Sequence, residues 1–328
     1  MVTIIIPVYN SSHTIDACIA SVLKQDYKDW KLVLVDDGST DSSYSKCLKY
    51  AGHDVRINAL QQSHQGVSTA RNLALDYVHS KFVCFIDADD SIEPDYLSSM
   101  LAYNESDMVV CGYYVDFFKD EKFQKQEIHL PDTINWSDNQ KRSMLLPLFM
   151  SGMIHINCNK LLKMDIIRQH HIQYRQQPIN EDYMFMLEYL QYSRSLSTVA
   201  LPLYHWNRVE GGLSGVDSLP GNLLQLYNDA HLLTRVYFQE SPVVADRALY
   251  YSYNYLVPKY FAANKRGVIS KQVLKEKLTE FHNNNLVRAS FSSYSPQSAG
   301  EYLLYILLKH GLFHTYRWLT KRLLKWKN

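Results

Sequence analysis

The chain has 328 residues, of which 46% are hydrophobic and 20% charged, with 12 glycines and 10 prolines. These proportions exclude a disordered, fibrous or low-complexity protein, and the length predicts one large α/β domain with a smaller appended piece. The 34 Lys and Arg residues nearly balance the 33 Asp and Glu residues, and the formal charge of +1 argues against nucleic acid as a partner.

The first hundred residues alternate strand and helix signals. Residues 2–7 form a short β-branched apolar run. Behind the capping residues Ser11, Ser12 and Thr14, the apolar residues Ile15, Cys18, Ile19, Val22 and Leu23 recur at helical spacing. A second buried strand at 31–35 runs into the turn cluster 36–41. A helix to about residue 51, a strand at 56–60, a helix at 67–78 and a strand at 82–86 complete the series. Such a pattern predicts a mostly parallel sheet with helices on both faces. In sheets of this kind the ligand crevice lies beyond the carboxyl ends of the strands.

Further along, the spacing predicts a strand at 108–115, a helix at 137–150, a helix after Asn180 and a strand at 197–206. Gly211-Gly212-Leu213-Ser214-Gly215 reads as a loop and domain edge, and the remainder reads as helices. The expected organisation is therefore two halves of one α/β domain, 1–105 and 106–217, followed by an all-helical region over 218–328.

Five cysteines without a C-x-x-C pair predict a reducing compartment rather than a disulfide framework or a zinc site. There is no leader signature and no apolar run of about 18 residues, so a cytoplasmic protein is expected. Residues 301–328 hold six Lys or Arg against Glu301 alone. Within 312–327, Leu312, Tyr316, Leu319, Leu323 and Trp326 mark one helical face and Arg317, Lys321 and Lys325 the other. That pattern fits either peripheral contact with the inner face of the cell membrane or packing on protein, including a second copy in a homo-oligomer.

Polar clusters follow each predicted strand: Pro7-Val8-Tyr9-Asn10, Asp36-Asp37-Gly38-Ser39, His64 to Asn72, and Asp87-Ala88-Asp89-Asp90. Each alone has an ordinary reading, as turn chemistry, an exposed helical arginine or a helix cap. One sheet would deliver all of them to one crevice. Two carboxylates at i and i+2 repel each other unless a cation lies between them. Oxygen ligands suit a hard divalent ion, whose shell is completed by phosphates of a substrate.

The segments Ile4-Ile5-Ile6-Pro7-Val8-Tyr9-Asn10, Val35-Asp36-Asp37-Gly38-Ser39-Thr40-Asp41, Gly66 to Asn72 and Phe85-Ile86-Asp87-Ala88-Asp89-Asp90 resemble family 2 glycosyltransferases, closely over about residues 1–105. The resemblance implies a GT-A fold and an inverting transferase of the bacterial polysaccharide and cell-envelope type. It also implies a UDP-sugar donor, Mn²⁺ or Mg²⁺, and a glycan, lipid-linked or cell-wall polymer as acceptor. Pro7 and Tyr9 would then line the base, and Asp37 would accept a hydrogen bond from uracil N3–H. Gly66 would let the backbone come close, Arg71 would approach the ribose or diphosphate, and Asp87 and Ala88 would sit by the ribose. Asp89 is implied as the principal metal ligand with Asp87 beside it, while Asp90 is either an indirect ligand or a helix cap, the cap being expected.

Displacement at an anomeric carbon needs a carboxylate to take the acceptor proton, and the family's Glu-Asp pair at a helix start matches Glu181 and Asp182, with Asp182 as the base. The plainer reading is an Asn180 cap followed by acids favoured by the helix dipole. Leu203-Tyr204-His205-Trp206-Asn207-Arg208 with Leu213-Ser214 resembles the family's mobile Tyr-x-Tyr-Arg…Ser-x-Ser segment, with Trp206 and Asn207 inserted. It implies Arg208 as a clamp on the leaving diphosphate. His205 is either a further metal or phosphate ligand or a structural histidine.

Two other readings stand beside this one. A sugar-1-phosphate nucleotidyltransferase would need a Gly-rich, Lys-containing loop after the first strand, where this chain has Pro7-Val8-Tyr9-Asn10. A degenerate transferase, kept as a glycan-binding or complex subunit, would have lost its acids, whereas Asp37, Asp89 and Asp182 are all present.

Overall fold

A computed structural model describes residues 1–119, 122–177, 179–209, 222–293, 299–315 and 318. The chain divides into two compact units, Met1–Glu210 and Gly211–Asn328. The expected edge at 217, the Gly211-Gly212-Leu213-Ser214-Gly215 loop and most of the 312–327 pattern lie outside the described residues.

The first unit opens with β1 (Val2–Val8), α1 (Ile15–Leu23), β2 (Trp30–Asp36), α2 (Ser43–His53), β3 (Ile57–Gln61), α3 (Val67–Asp76) and β4 (Phe82–Phe85). Every residue of β1 and β4 is buried, as strands covered on both faces require. The four strands are parallel in the order β3-β2-β1-β4. Right-handed crossovers therefore carry α1 and α2 along one face and return α3 along the other. The reversal at β1 opens a crevice where the carboxyl ends diverge. Val8, Asp36 and Gln61 lie level in register, so the loops after β1, β2 and β3 leave the sheet side by side.

The second half continues with β5 (Ser91–Ile92), α4 (Tyr96–Leu101), β6 (Met108–Lys119), β7 (Lys122–His129), β8 (Asn135–Ser137), α5 (Leu146–Met150), β9 (Lys160–Lys163), α6 (Met164–Gln169), α7 (Glu181–Tyr192) and β10 (Ser195–Val209). Here the sheet is mixed. Strand β9 runs antiparallel between β4 and β6, β6 and β10 are parallel, and β5, β7 and β8 add antiparallel at the margins.

The helix expected over 137–150 shrinks to α5 and a preceding single turn at Arg142–Leu145. Two constraints explain this. Trp136 is buried in a pairing with Leu196, and Pro147 at the start of α5 has no N–H with which to continue an upstream helix.

Strand β10 is bulged on either side of Pro202, which cannot donate to a ladder. Its partner there is Gly112. A Cβ at Gly112 would lie 2.6 Å from the His129 carbonyl oxygen and 3.0 Å from that of Leu201, so only glycine fits between β7 and the bulge. All five cysteines are buried, and all belong to this unit.

The second unit consists, among the described residues, of α8 (Leu223–Tyr237), α9 (Pro242–Lys265), α10 (Lys271–Asn283), α11 (Asn285–Ser293) and α12 (Ala299–Lys309). Arg235 and Asp246 pair at 2.6 Å between α8 and α9. The Ser270 side chain accepts from Val273 N–H to cap α10. No helix among the described residues is long and apolar enough to cross a membrane.

Gly112→Ala is expected to cost about 1–3 kcal/mol, because the added carbon meets backbone on both sides. Urea unfolding monitored by circular dichroism checks this through a lowered midpoint at unchanged slope.

Candidate active site

The segment after β2 is organised around the Asp37 carboxylate, which is almost fully buried. Oδ1 accepts from the Gln62 side chain at 2.6 Å and from Gln65 N–H at 2.8 Å, while Oδ2 accepts from Gly66 N–H at 2.9 Å. Gly38, with φ of +73°, brings its backbone so close that a Cβ would sit 2.8 Å from the His64 nitrogen. Asn10 N–H donates to Ser39 Oγ, and Asn10 Oδ1 accepts from Thr40 N–H. These bonds join the loops after β1, β2 and β3 into one rim. On it Tyr9, 43% exposed, stacks on His64 with centroids 4.2 Å apart and planes 20° from parallel. His64 Nδ1 in turn lies 2.9 Å from Asp37 Oδ2. A flat aromatic pair beside a polar loop is a platform for a planar heterocycle.

Deeper in the crevice, Arg71 projects from α3 and is only 3% exposed. Its Nη1 donates to Asp182 Oδ1 at 2.8 Å and to Glu181 Oε1 at 3.3 Å, and Nη2 donates to Asp87 Oδ1 at 3.0 Å. The guanidinium lies over the Tyr174 ring at 5.2 Å. Asn72 fixes Tyr174 by a two-way bond, its amide donating to the Tyr174 carbonyl and accepting from the Tyr174 N–H, each at 2.8 Å. Asn157 bonds the Tyr174 hydroxyl at 2.9 Å, and Phe185 stacks beneath the ring at 4.1 Å. Asn180 takes the left-handed conformation at the α7 N-cap, with φ of 62°, which turns Glu181 and Asp182 into the first turn of α7.

Burial opposes the Arg71 charge, but Asp182 and Asp87 outweigh it and hold the guanidinium above its ordinary value. For Asp182, burial is the larger influence and lifts the carboxyl to about 7 against the pull of Arg71. Desolvation by the surrounding crevice, followed by the charge of Asp87, pushes Asp89 up to about 6 although its side chain keeps an exposed face. Burial also raises Asp90.

Asp90 does not cap a helix, since α4 begins only after Asp95. Its carboxylate instead accepts from the Tyr204 hydroxyl at 2.5 Å and from Asn207 N–H at 2.8 Å. The Asn207 amide donates to the Asp89 carbonyl at 2.7 Å. Strand β10 thus braces the turn after β4. Lys160, fully buried, is held by the carbonyls of Met153 and Ile156 and by Asn159 Oδ1 at 2.8 Å, and burial lowers its ammonium to about 8.

The structure therefore brings Arg71, Asp87 and Asp182 into direct contact, and Asp37 with Gly66. Pro7 is buried within β1, level with Val35, and Ala88 is buried in the turn after β4. His205 points elsewhere: Nδ1 lies 2.6 Å from Asp116 and Nε2 lies 2.9 Å from Glu93, so both ring nitrogens are engaged. Arg208 lies over Trp206 at 5.0 Å and Phe117 at 5.7 Å, with no ion pair to the cluster.

Among the described residues no three His, Cys, Asp or Glu side chains converge as a ready metal cage. Asp89 nonetheless makes no ion pair among the described residues, and its neighbour Asp87 supplies oxygen donors. That set fits a hard cation sharing its shell with phosphate. Sequence reasoning placed His64 at the head of a crevice cluster without giving it a role, and missed Tyr174 and Asn157, which have no local signal.

A sequence model of glycosyl transferase family 2 matches residues 3–170. EpsH of Bacillus subtilis (strain 168) is 31% identical over 213 residues, covering 62% of this chain and 60% of EpsH. The UDP-Glc:alpha-D-GlcNAc-diphosphoundecaprenol beta-1,3-glucosyltransferase WfgD of Escherichia coli is 45% identical over 91 residues, 27% of this chain and 35% of WfgD. The matches thus span less than two thirds of these relatives' lengths. Among solved structures, S. aureus TarS 1-349 in complex with UDP-GlcNAc superposes with a TM-score of 0.66 at 17% identity, covering 99% of this chain and 91% of that one. The chain has the expected GT-A type of α/β fold followed by a helical C-terminal region.

Arg71→Met would leave three carboxylates facing one another around a buried gap. The expected loss is about 3 kcal/mol of stability, read by chemical denaturation. Arg71→Lys should recover only part of it, since one ammonium cannot span all three partners.

Proposed function

The chain belongs to glycosyl transferase family 2, and on that premise we propose that it moves a sugar from a UDP-sugar to a hydroxyl of a glycan, lipid-linked or cell-wall polymer acceptor, with inversion. The observation that carries this reading is the contact of Arg71 with Asp87, Glu181 and Asp182 deep in the sheet crevice. It joins the turn that would hold the donor to the helix that would supply the base.

In this reading Tyr9, with His64 beside it, offers its face to the uracil, and Pro7 and Asp37 border it. With Asp37 holding the loop, Gly66 gives the close backbone approach, and Asp87 with Ala88 flanks the ribose. Asp89 and Asp87 would hold Mn²⁺ or Mg²⁺, which when bound neutralises charge on the diphosphate. His205 is left out of the ligand set because two carboxylates already occupy its ring. Arg208, unpaired among the described residues, remains the candidate contact for the departing phosphate.

Asp182 acts as general base. Arg71 holds Oδ1 and leaves Oδ2 for the acceptor proton. As that proton moves to Asp182, the acceptor oxygen bonds to the anomeric carbon from the face opposite the diphosphate, and the bond from that carbon to the phosphate oxygen breaks to release UDP. An α-linked donor yields a β-linked product. The burial that raises Asp182 to about 7 also makes it a stronger proton acceptor than an exposed aspartate.

Asp182→Asn should lower kcat by roughly 10²–10⁴-fold while UDP affinity, measured calorimetrically, changes little. Transfer at the parent rate would remove Asp182 from this role. Because only the carboxylate accepts a proton, kcat/KM of the parent should rise with pH up to about 7 and then level. Chelation should abolish UDP release on adding acceptor, and Mn²⁺ should restore it. In Asp89→Asn the Mn²⁺ concentration for half-maximal rate should rise at least about tenfold, the loss of one charged oxygen ligand.

A further inference from the structure

The helical unit contains a cavity of about 570 Å³ that holds none of the residues assigned to the proposed transfer. That volume lies within the range of small-molecule sites. Phe261 from α9, Leu274 and Leu278 from α10, and Phe313 beyond α12 line its base, and each is more than nine-tenths buried. Its wall is different. Lys271, Leu274, Lys275, Leu278 and His282 fall at i, i+3, i+4, i+7 and i+11, so a single face of α10 supplies both the apolar base and a basic mouth.

The acids of α10 are directed elsewhere. Glu276 accepts from Gln272 at 2.8 Å, and Glu280 pairs with Lys277 at 3.0 Å. Among the described residues no carboxylate lines the cavity, and Lys271 and Lys275 have no acidic partner. His310 and His314 add ring nitrogens to the wall. Gly311, with φ of +68°, adjoins His282 at the cavity edge, where an added Cβ would lie 3.4 Å from Nδ1, an ordinary contact distance.

An apolar base with unpaired ammonium groups at its mouth complements a molecule with a hydrocarbon body and an anionic end. The two lysines are one helical turn apart, about 5–6 Å between their Cβ atoms. That spacing suits a group of nearly two negative charges, such as a phosphate monoester, better than a single carboxylate. We propose that this cavity binds a single-chain lipid phosphate, with its chain against Phe261, Leu274, Leu278 and Phe313 and its phosphate between Lys271 and Lys275. The proposal does not depend on the assignment of the transfer chemistry.

The test is calorimetric titration of the full chain with decyl phosphate below its micellar concentration, beside decyl glucoside, inorganic phosphate and phosphatidylglycerol vesicles. Decyl phosphate should bind saturably at one site with a negative heat-capacity change, at least about tenfold more tightly than decyl glucoside or phosphate. The double charge reversal Lys271→Glu with Lys275→Glu should weaken it at least tenfold at unchanged melting temperature, because both side chains are exposed. Absence of saturable binding, equal affinity for decyl glucoside, equal affinity in the charge-reversed protein, or binding to vesicles alone would each overturn the assignment.

Discussion

Arg71 carries a full charge to a place where only 3% of its surface meets solvent. An isolated ion at that depth costs several kcal/mol, so its stability rests on the carboxylates around it. Those carboxylates come from the turn after β4 and from the start of α7, the latter 111 positions further along the chain. Asp87 pairs with Arg71 from within the same half of the α/β unit, whereas Glu181 and Asp182 reach that guanidinium from the other half. The same contact that neutralises the buried guanidinium fixes the distance between the turn bearing Asp87 and the helix bearing Asp182, and Tyr174, pinned by Asn72 and Asn157, supplies the floor under both.

Carboxylates at the crevice separate into two kinds. Asp37 and Asp90 accept from donors on both oxygens and act as joints, one for the rim loops and the other between the β4 turn and β10. Asp89 and the second oxygen of Asp182 keep lone pairs uncommitted. Desolvation raises these two groups and Asp90 alike, so a raised carboxyl does not by itself mark a group retained for chemistry. Position after a strand does not distinguish the two kinds; the supply of neighbouring donors does.

That distinction also marks how far the amino-acid sequence could be read. Strands β1, β2 and β4 were legible because continuous burial writes an unbroken apolar run. Strand β7 was not, because its residues are largely exposed and show no alternation. Strands β5 and β9 are too short to have a period, and the helical pattern around 137–150 was interrupted by Trp136 and Pro147. Arg71, Asp87 and Asp182 could be named in advance, but not their mutual contact, which depends on a fold-back of more than 100 residues. Asp90 was misread because its partners Tyr204 and Asn207 lie 114 and 117 positions away. The stacking of His64 on Tyr9 likewise needs the β1 and β3 loops to meet first.

The distribution of sulfur gives the two units different visibility. Cys18 and Cys47 sit in α1 and α2, Cys84 and Cys111 in β4 and β6, and Cys158 just before β9, all shielded, while the helical unit has none. Burial raises each of these thiols, to about 12 in Cys47 and Cys111, so alkylation requires that the surrounding layer first come apart. Labelling rates at the individual sulfurs would therefore follow transient opening of the sheet domain residue by residue and be blind to breathing of the helices.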